Sequence, residues 1–156
     1  MRRSIILIVS IPIFFLLLTN GLYSTTHKDS LYIDPDTISV SEGGKVTFYL
    51  DAGRQNAFRL YVIFGGVSGT QPGFPLPGGA VLPINWDCVT EGLLNLINGP
   101  WLQDFGGYLD NTGSAEAYLL VPPNSNLPPG GGINFAYALA YPWDFASNPV
   151  FLHFVP

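Results

Sequence analysis

Glycine and proline punctuate this chain so densely that only short elements fit between them. Eighteen glycines and fourteen prolines are spread among 156 residues. Glycine admits left-handed backbone and proline removes a hydrogen-bond donor, so each cluster ends an element. Between the clusters lie runs of about six to eight residues rich in aromatic and β-branched side chains, the pattern of short strands joined by tight turns. Charged residues are only 11% of the chain, but the aromatic fraction of 14% argues for a packed core rather than disorder.

Several runs alternate cleanly. In Lys45–Asp51, Val46, Phe48 and Leu50 fall on one face and Lys45, Thr47, Tyr49 and Asp51 on the other, as in a half-buried antiparallel strand. Leu31–Val40 reads as two short pieces around a bend at Asp34-Pro35. Leu60–Phe64 is apolar throughout, as a central strand would be. Gly65–Gly79 reads as a long loop, with a short strand at Ala80–Ile84 after it. Ser114–Val121 alternates after a hairpin-type turn at Asp110–Gly113. Ile133–Tyr141 sets Ile133, Phe135, Tyr137, Leu139 and Tyr141 against a small-residue face of Asn134, Ala136, Ala138 and Ala140, which lets a neighbouring layer approach closely. Val150–Val155 is the last strand. Only Val89, Leu93, Leu96 and Ile97 fall at helical spacing, with Asp87 placed to cap and Asn98-Gly99-Pro100 to stop. The expected fold is all-β: an immunoglobulin-like antiparallel β-sandwich of about seven or eight strands with one short helical insertion.

The first two dozen residues have a different character. Arg2 and Arg3 precede an apolar run from Ile5 to Leu18, followed by Thr19, Asn20 and Gly21. A cationic start, a short apolar core and small polar residues are the pattern of a secretory signal helix. The expected organisation is a signal peptide over 1–24 cut after Ser24, a polar leader over 25–30 and one domain over 31–156. Export to the medium or the cell surface follows, with no membrane attachment after cleavage. The cut moves the formal net charge from −5 to −7, and no Lys or Arg occurs from Leu60 to Pro156. Nucleic acid and anionic lipid both need cations, so neither is an expected partner. Cys88 is the only cysteine. It excludes an internal disulfide, and a small buried side chain is expected there.

Two stretches are recognisable. Ser68-Gly69-Thr70-Gln71-Pro72-Gly73-Phe74-Pro75-Leu76 is followed by Gly78-Gly79-Ala80-Val81-Leu82-Pro83-Ile84-Asn85-Trp86-Asp87. Near the end stand Phe145-Ala146-Ser147-Asn148-Pro149-Val150 and Val155-Pro156. With Leu109-Asp110, Gly113 and Ala115, these resemble an uncharacterised β-rich module of secreted proteins from environmental bacteria. The likeness runs from about Ile33 onward. It implies an exported β-module, often an appendage or repeat in larger exported chains, with no established catalytic activity, and it transfers no site residues. Here the module follows the signal almost directly.

The residue inventory is poor in catalysts. The histidines, His27 and His153, form no metal-binding pair, and no serine has a nucleophile-elbow context. Gly65-Gly66 and Gly78-Gly79 lack the lysine of a phosphate cradle. The carboxylate pairs Asp34/Asp36, Asp87/Glu91 and Asp104/Asp110 fit turns and a helix cap better than glycoside hydrolysis. Asp34 and Asp36 are weak candidates for Ca²⁺. No catalytic residue and no cofactor is therefore expected. Loop aromatics are the better candidates for ligand or subunit contacts: Trp86, Trp101, Trp143, Tyr108 and Tyr141, with Phe105 and Phe145 beside them. Tyr49, Tyr61, Tyr118, Phe151 and Val155 are expected to give an apolar surface. The expected function is a non-enzymatic extracellular structural module that assembles with itself or other surface proteins through strand edges, with Thr25–Ile33 as a donated strand. The alternative is a carbohydrate-binding module whose rings stack on polysaccharide.

Overall fold

A computed structural model describes residues 29–156. The chain is mostly strand: β1 (Leu31–Asp34), β2 (Thr37–Ser39), β3 (Gly44–Asp51), β4 (Leu60–Gly66), β5 (Phe74–Pro75), β6 (Val81–Leu82), β7 (Leu102–Gln103), β8 (Gly106–Tyr108), β9 (Ser114–Val121), β10 (Gly132–Leu139) and β11 (Val150–Val155). One helix, α1 (Cys88–Leu94), stands between β6 and β7. The all-β expectation holds. The expected signal peptide and most of the expected leader lie outside the described residues. No helix among the described residues is long and apolar enough to cross a membrane.

Two sheets carry the fold, one ordered β1-β3-β9-β7 and the other β2-β11-β10-β4-β8, and β5 and β6 form a separate small hairpin. Alternation decides what each strand buries. Val46, Phe48 and Leu50 of β3 are 0–2% exposed, and they meet Phe135, Tyr137 and Leu139 of β10, all fully buried. At the centre the rings of Phe48, Phe105 and Phe135 contact one another edge-on at 5.0–6.0 Å. Each such buried ring contributes roughly 1.5–3 kcal/mol.

Several expectations need correction. Eleven strands form among the described residues rather than seven or eight, because the Gly/Pro-rich stretches hold two-residue pairings. One pairing is parallel, β11 with β2, because the bend after Asp34 carries the chain from one sheet to the other. The Asp110–Gly113 turn joins β8 to β9, which also lie in different sheets, so it is a crossing and not a hairpin. Phe105 and Tyr61 are core residues. Tyr61 alternates with Val62 onto the inner face, and its hydroxyl donates to the Asp104 carbonyl at 2.8 Å. Burial, then the Asp104 charge, pushes that hydroxyl up to about 12. Cys88 is exposed, because it occupies the first turn of a helix whose inward contact is made by Thr90. Leu31–Ile33, expected as part of a donated strand, has a partner within the chain. It pairs with β3 in its own sheet, and Leu31 and Ile33 are buried.

The edges of the two main sheets are short, and two of the four are closed off by a side-chain amide. The four edge strands run from two to four residues. On β1, the Asn148 amide accepts from the Ser30 and Leu31 N–H groups and donates to the Leu31 carbonyl, as another strand would. On β8, Asn98 makes the same pair of bonds with Gly106. Such devices block edge-to-edge pairing.

Candidate functional site

The second face of the β4–β10 pair is where rings collect. Ala136 stands opposite Phe64 and Ala138 opposite Val62. The alanines leave room for a second apolar layer, and Leu76, Leu82 and Ile84 fill it with Phe64. That layer is the segment between β4 and α1, folded back over the sheet.

The segment is held by two side chains. The Asn85 amide donates to the Ser68 and Gln71 carbonyls at 2.8 and 2.7 Å, and its oxygen accepts from Gly73 N–H at 3.0 Å. Asp87 accepts from the Val67 and Ser68 amides with one carboxylate oxygen and from the Thr90 amide with the other. Partial burial alone would raise the Asp87 pKa, but these donors hold it down at about 2. The same residue caps α1, as its position in the sequence suggests. Gly66 has to be glycine for this packing, since a Cβ there would press on Ile84 and Thr90 at 2.8 and 3.0 Å. At the hairpin tip, Gly78 abuts the backbone of Pro142 and Trp143.

The result is an aromatic ledge. Phe74 lies 4.9 Å from Trp86, Trp86 lies 6.2 Å from Phe64, Phe64 lies 6.4 Å from Trp143, and Trp143 lies 6.4 Å from Tyr141. Phe64 is the buried base of the row, and Tyr141 is 80% exposed. Tyr141 and Trp143 both take left-handed backbone, at φ 49° and 72°. Bulky residues hold such angles only where the surroundings impose them, at about 1–3 kcal/mol each, and such positions cluster at functional sites.

Three of the five ring candidates from the sequence, Trp86, Tyr141 and Trp143, are therefore brought together. Trp101 and Tyr108 are exposed but make no ring contact with the ledge among the described residues. Phe145 instead packs on Tyr137 in the main core. Phe74 and Phe64 were missed. The signal for Phe74 was its place among the glycines and prolines of the segment before Trp86. A second group of rings lies on the outer face of the other sheet, where Tyr32 stacks on Tyr49 at 5.9 Å and Lys45 sits over Tyr118.

The remaining candidates stand apart. Asp34 and Asp36 are exposed on the bend between β1 and β2. Among the described residues no three His, Cys, Asp or Glu side chains cluster closely enough to hold a metal ion. Asp110 is occupied by its own turn, accepting from Thr112 and Ser114, which holds its pKa low. His153 lies exposed on β11, edge-on to Phe151 at 4.5 Å. A cavity of about 610 Å³ opens beside the start of β1 between Ser30, Asp51, Gln55, Phe145 and Asn148, and none of the five ring candidates lines it. The chain matches no known protein family, no curated protein and no solved structure.

Proposed function

We propose that the chain is a non-enzymatic extracellular module that holds a polysaccharide on its aromatic ledge. The observation that carries this is the convergence of Phe74, Trp86, Tyr141 and Trp143, from two loops far apart in sequence, onto one shelf built over the β4–β10 pair. Grouped exposed rings mark docking surfaces. Sugar rings present C–H faces that stack on aromatic faces, and the Asn85 and Asp87 hydrogen bonds fix the loop in advance, which reduces the ordering cost of binding. Export is supported by the pattern over residues 1–24. A finer architecture, an immunoglobulin-like sandwich, is supported by the sheet orders β1-β3-β9-β7 and β11-β10-β4, which parallel the ABED and GFC layout of that fold.

Self-assembly is the second reading. The short edges, two of them capped, oppose the strand-edge mechanism, but exposed Tyr32 and Tyr49 on one sheet and Phe151 and Val155 on the other offer faces for subunit contact. Glycan-array binding by the secreted protein tests the first reading, with loss expected for Trp143→Ala and none for Trp101→Ala. A protein that binds no glycan but sediments as a concentration-dependent oligomer would replace it with the second.

A further inference from the structure

We infer that the ledge takes a soluble, uncharged glycan chain, and neither a crystalline polymer surface nor an anionic polysaccharide; this rests on the carbohydrate-binding function proposed above. Two independent observations carry it.

The first is the tilt of the rings. The accessible rings are inclined within each pair, Phe74 to Trp86 by 42° and Trp143 to Tyr141 by 47°, and each tryptophan is tilted to the buried Phe64 between them, by 53° and 57°. A crystalline polymer presents parallel sugar rings in a plane, and it would need coplanar aromatic rings to meet them together. A row whose planes turn from ring to ring instead fits a single chain free to twist about its glycosidic bonds. Two pairs of accessible rings, Phe74 with Trp86 and Trp143 with Tyr141, stand on either side of the buried Phe64 and offer faces to more than one sugar, so the complement is an oligomeric stretch.

Charge is the second. Every ring of the ledge lies within the part of the sequence that has no Lys or Arg. Among the described residues the strong cations are Lys45, Arg54 and Arg59. Lys45 is over Tyr118 on the opposite sheet, and Arg59 is paired with Asp144. Asp144, which follows Trp143 directly, is the carboxylate that holds Arg59, so that cation is already neutralised beside the ledge. Glu91 stands at the other tryptophan and accepts from the Trp86 indole N–H at 3.4 Å. It can accept hydrogen bonds from sugar hydroxyls and repels uronate or sulfate. An acidic glycan would therefore meet the Glu91 charge, and Arg59, held by the residue after Trp143, is already paired.

Affinity gel electrophoresis of the secreted protein tests this. One set of gels holds soluble neutral polymers (mixed-linkage β-glucan, xylan, galactomannan) and another holds alginate or polygalacturonate; sedimentation with crystalline cellulose and chitin runs alongside. The expected result is retardation by a neutral soluble polymer, little changed by salt. Trp86→Ala and Trp143→Ala should each weaken it about tenfold or more, as for a truncated aromatic anchor. Trp101→Ala should leave it unchanged. Tyr141→Ala provides a variant at an exposed ring whose removal leaves the core intact, and it too should weaken binding. Binding confined to crystalline polymer, or salt-sensitive binding confined to the acidic polymers, overturns the inference and leaves carbohydrate binding standing. Binding to none of them overturns both.

Discussion

Replacing Asn148 by alanine should open the β1 edge. Its side chain makes three bonds to backbone at 2.8–3.0 Å, accepting from Ser30 N–H and Leu31 N–H and donating to Leu31 C=O. Each is worth about 1 kcal/mol net. Water can reach an edge strand and replaces part of that, so the expected loss is about 2 kcal/mol. For a domain of this size that lowers Tm by roughly 8 °C. Asn148→Asp should fall between the two proteins, because it keeps the acceptor for both amides but loses the donor to Leu31. Urea denaturation gives the stability, and hydrogen exchange at Leu31 gives the local effect. The variant should also associate at high concentration, since an uncapped edge is a template for another strand. A change below about 0.5 kcal/mol, with the Leu31 amide still slow to exchange, would refute the view that the amide acts as a substitute strand.

Four further outcomes are expected. Gly92 sits in the interior of α1, where a Cβ would meet nothing within 4 Å, so Gly92→Ala should stabilise the protein by about 0.5–1 kcal/mol in the same denaturation assay. Asp87 has a pKa of about 2 against an ordinary 3.8, so its stabilisation is complete above about pH 4 and disappears as pH falls from there towards 2; Asp87→Asn should flatten that part of the stability profile. Gly78→Ala would drive a Cβ into the Pro142 carbonyl, lifting the hairpin tip; tryptophan fluorescence should shift to the red, and an unshifted spectrum would show that the tip does not rest there. Native protein should react stoichiometrically with a thiol reagent at Cys88, whereas a thiol that reacts only after denaturation would contradict its exposure.

What the sequence revealed was local. The alternation of Val46, Phe48 and Leu50 sets a buried face whatever the partner strand, and Asp87 followed by Thr90 encodes a helix cap within four residues. The alanines of β10 announced a close second layer without saying what fills it. Contacts between distant segments stayed hidden. Nothing near Trp86 indicates that its loop folds back towards Trp143, and nothing in Thr37–Ser39 indicates a parallel partner at the far end of the chain. Ring candidates chosen by loop position therefore mixed three that converge with two that do not. Tyr61 and Cys88 failed for a related reason: polarity and size suggest a preference, but register decides which side a residue faces.

The β4–β10 pair has apolar clusters on both faces, and only one of them lies between the two main sheets. The outer cluster is closed by the segment between β4 and α1 rather than by a sheet. Its opening therefore need not break the inner core, and two levels of cooperativity are expected. Amides of the folded-back segment should exchange through a partial unfolding that leaves β3, β9 and β10 protected. In such a partly open state Phe64 and the alanine strip would face water, an apolar surface that the closed segment keeps from other chains.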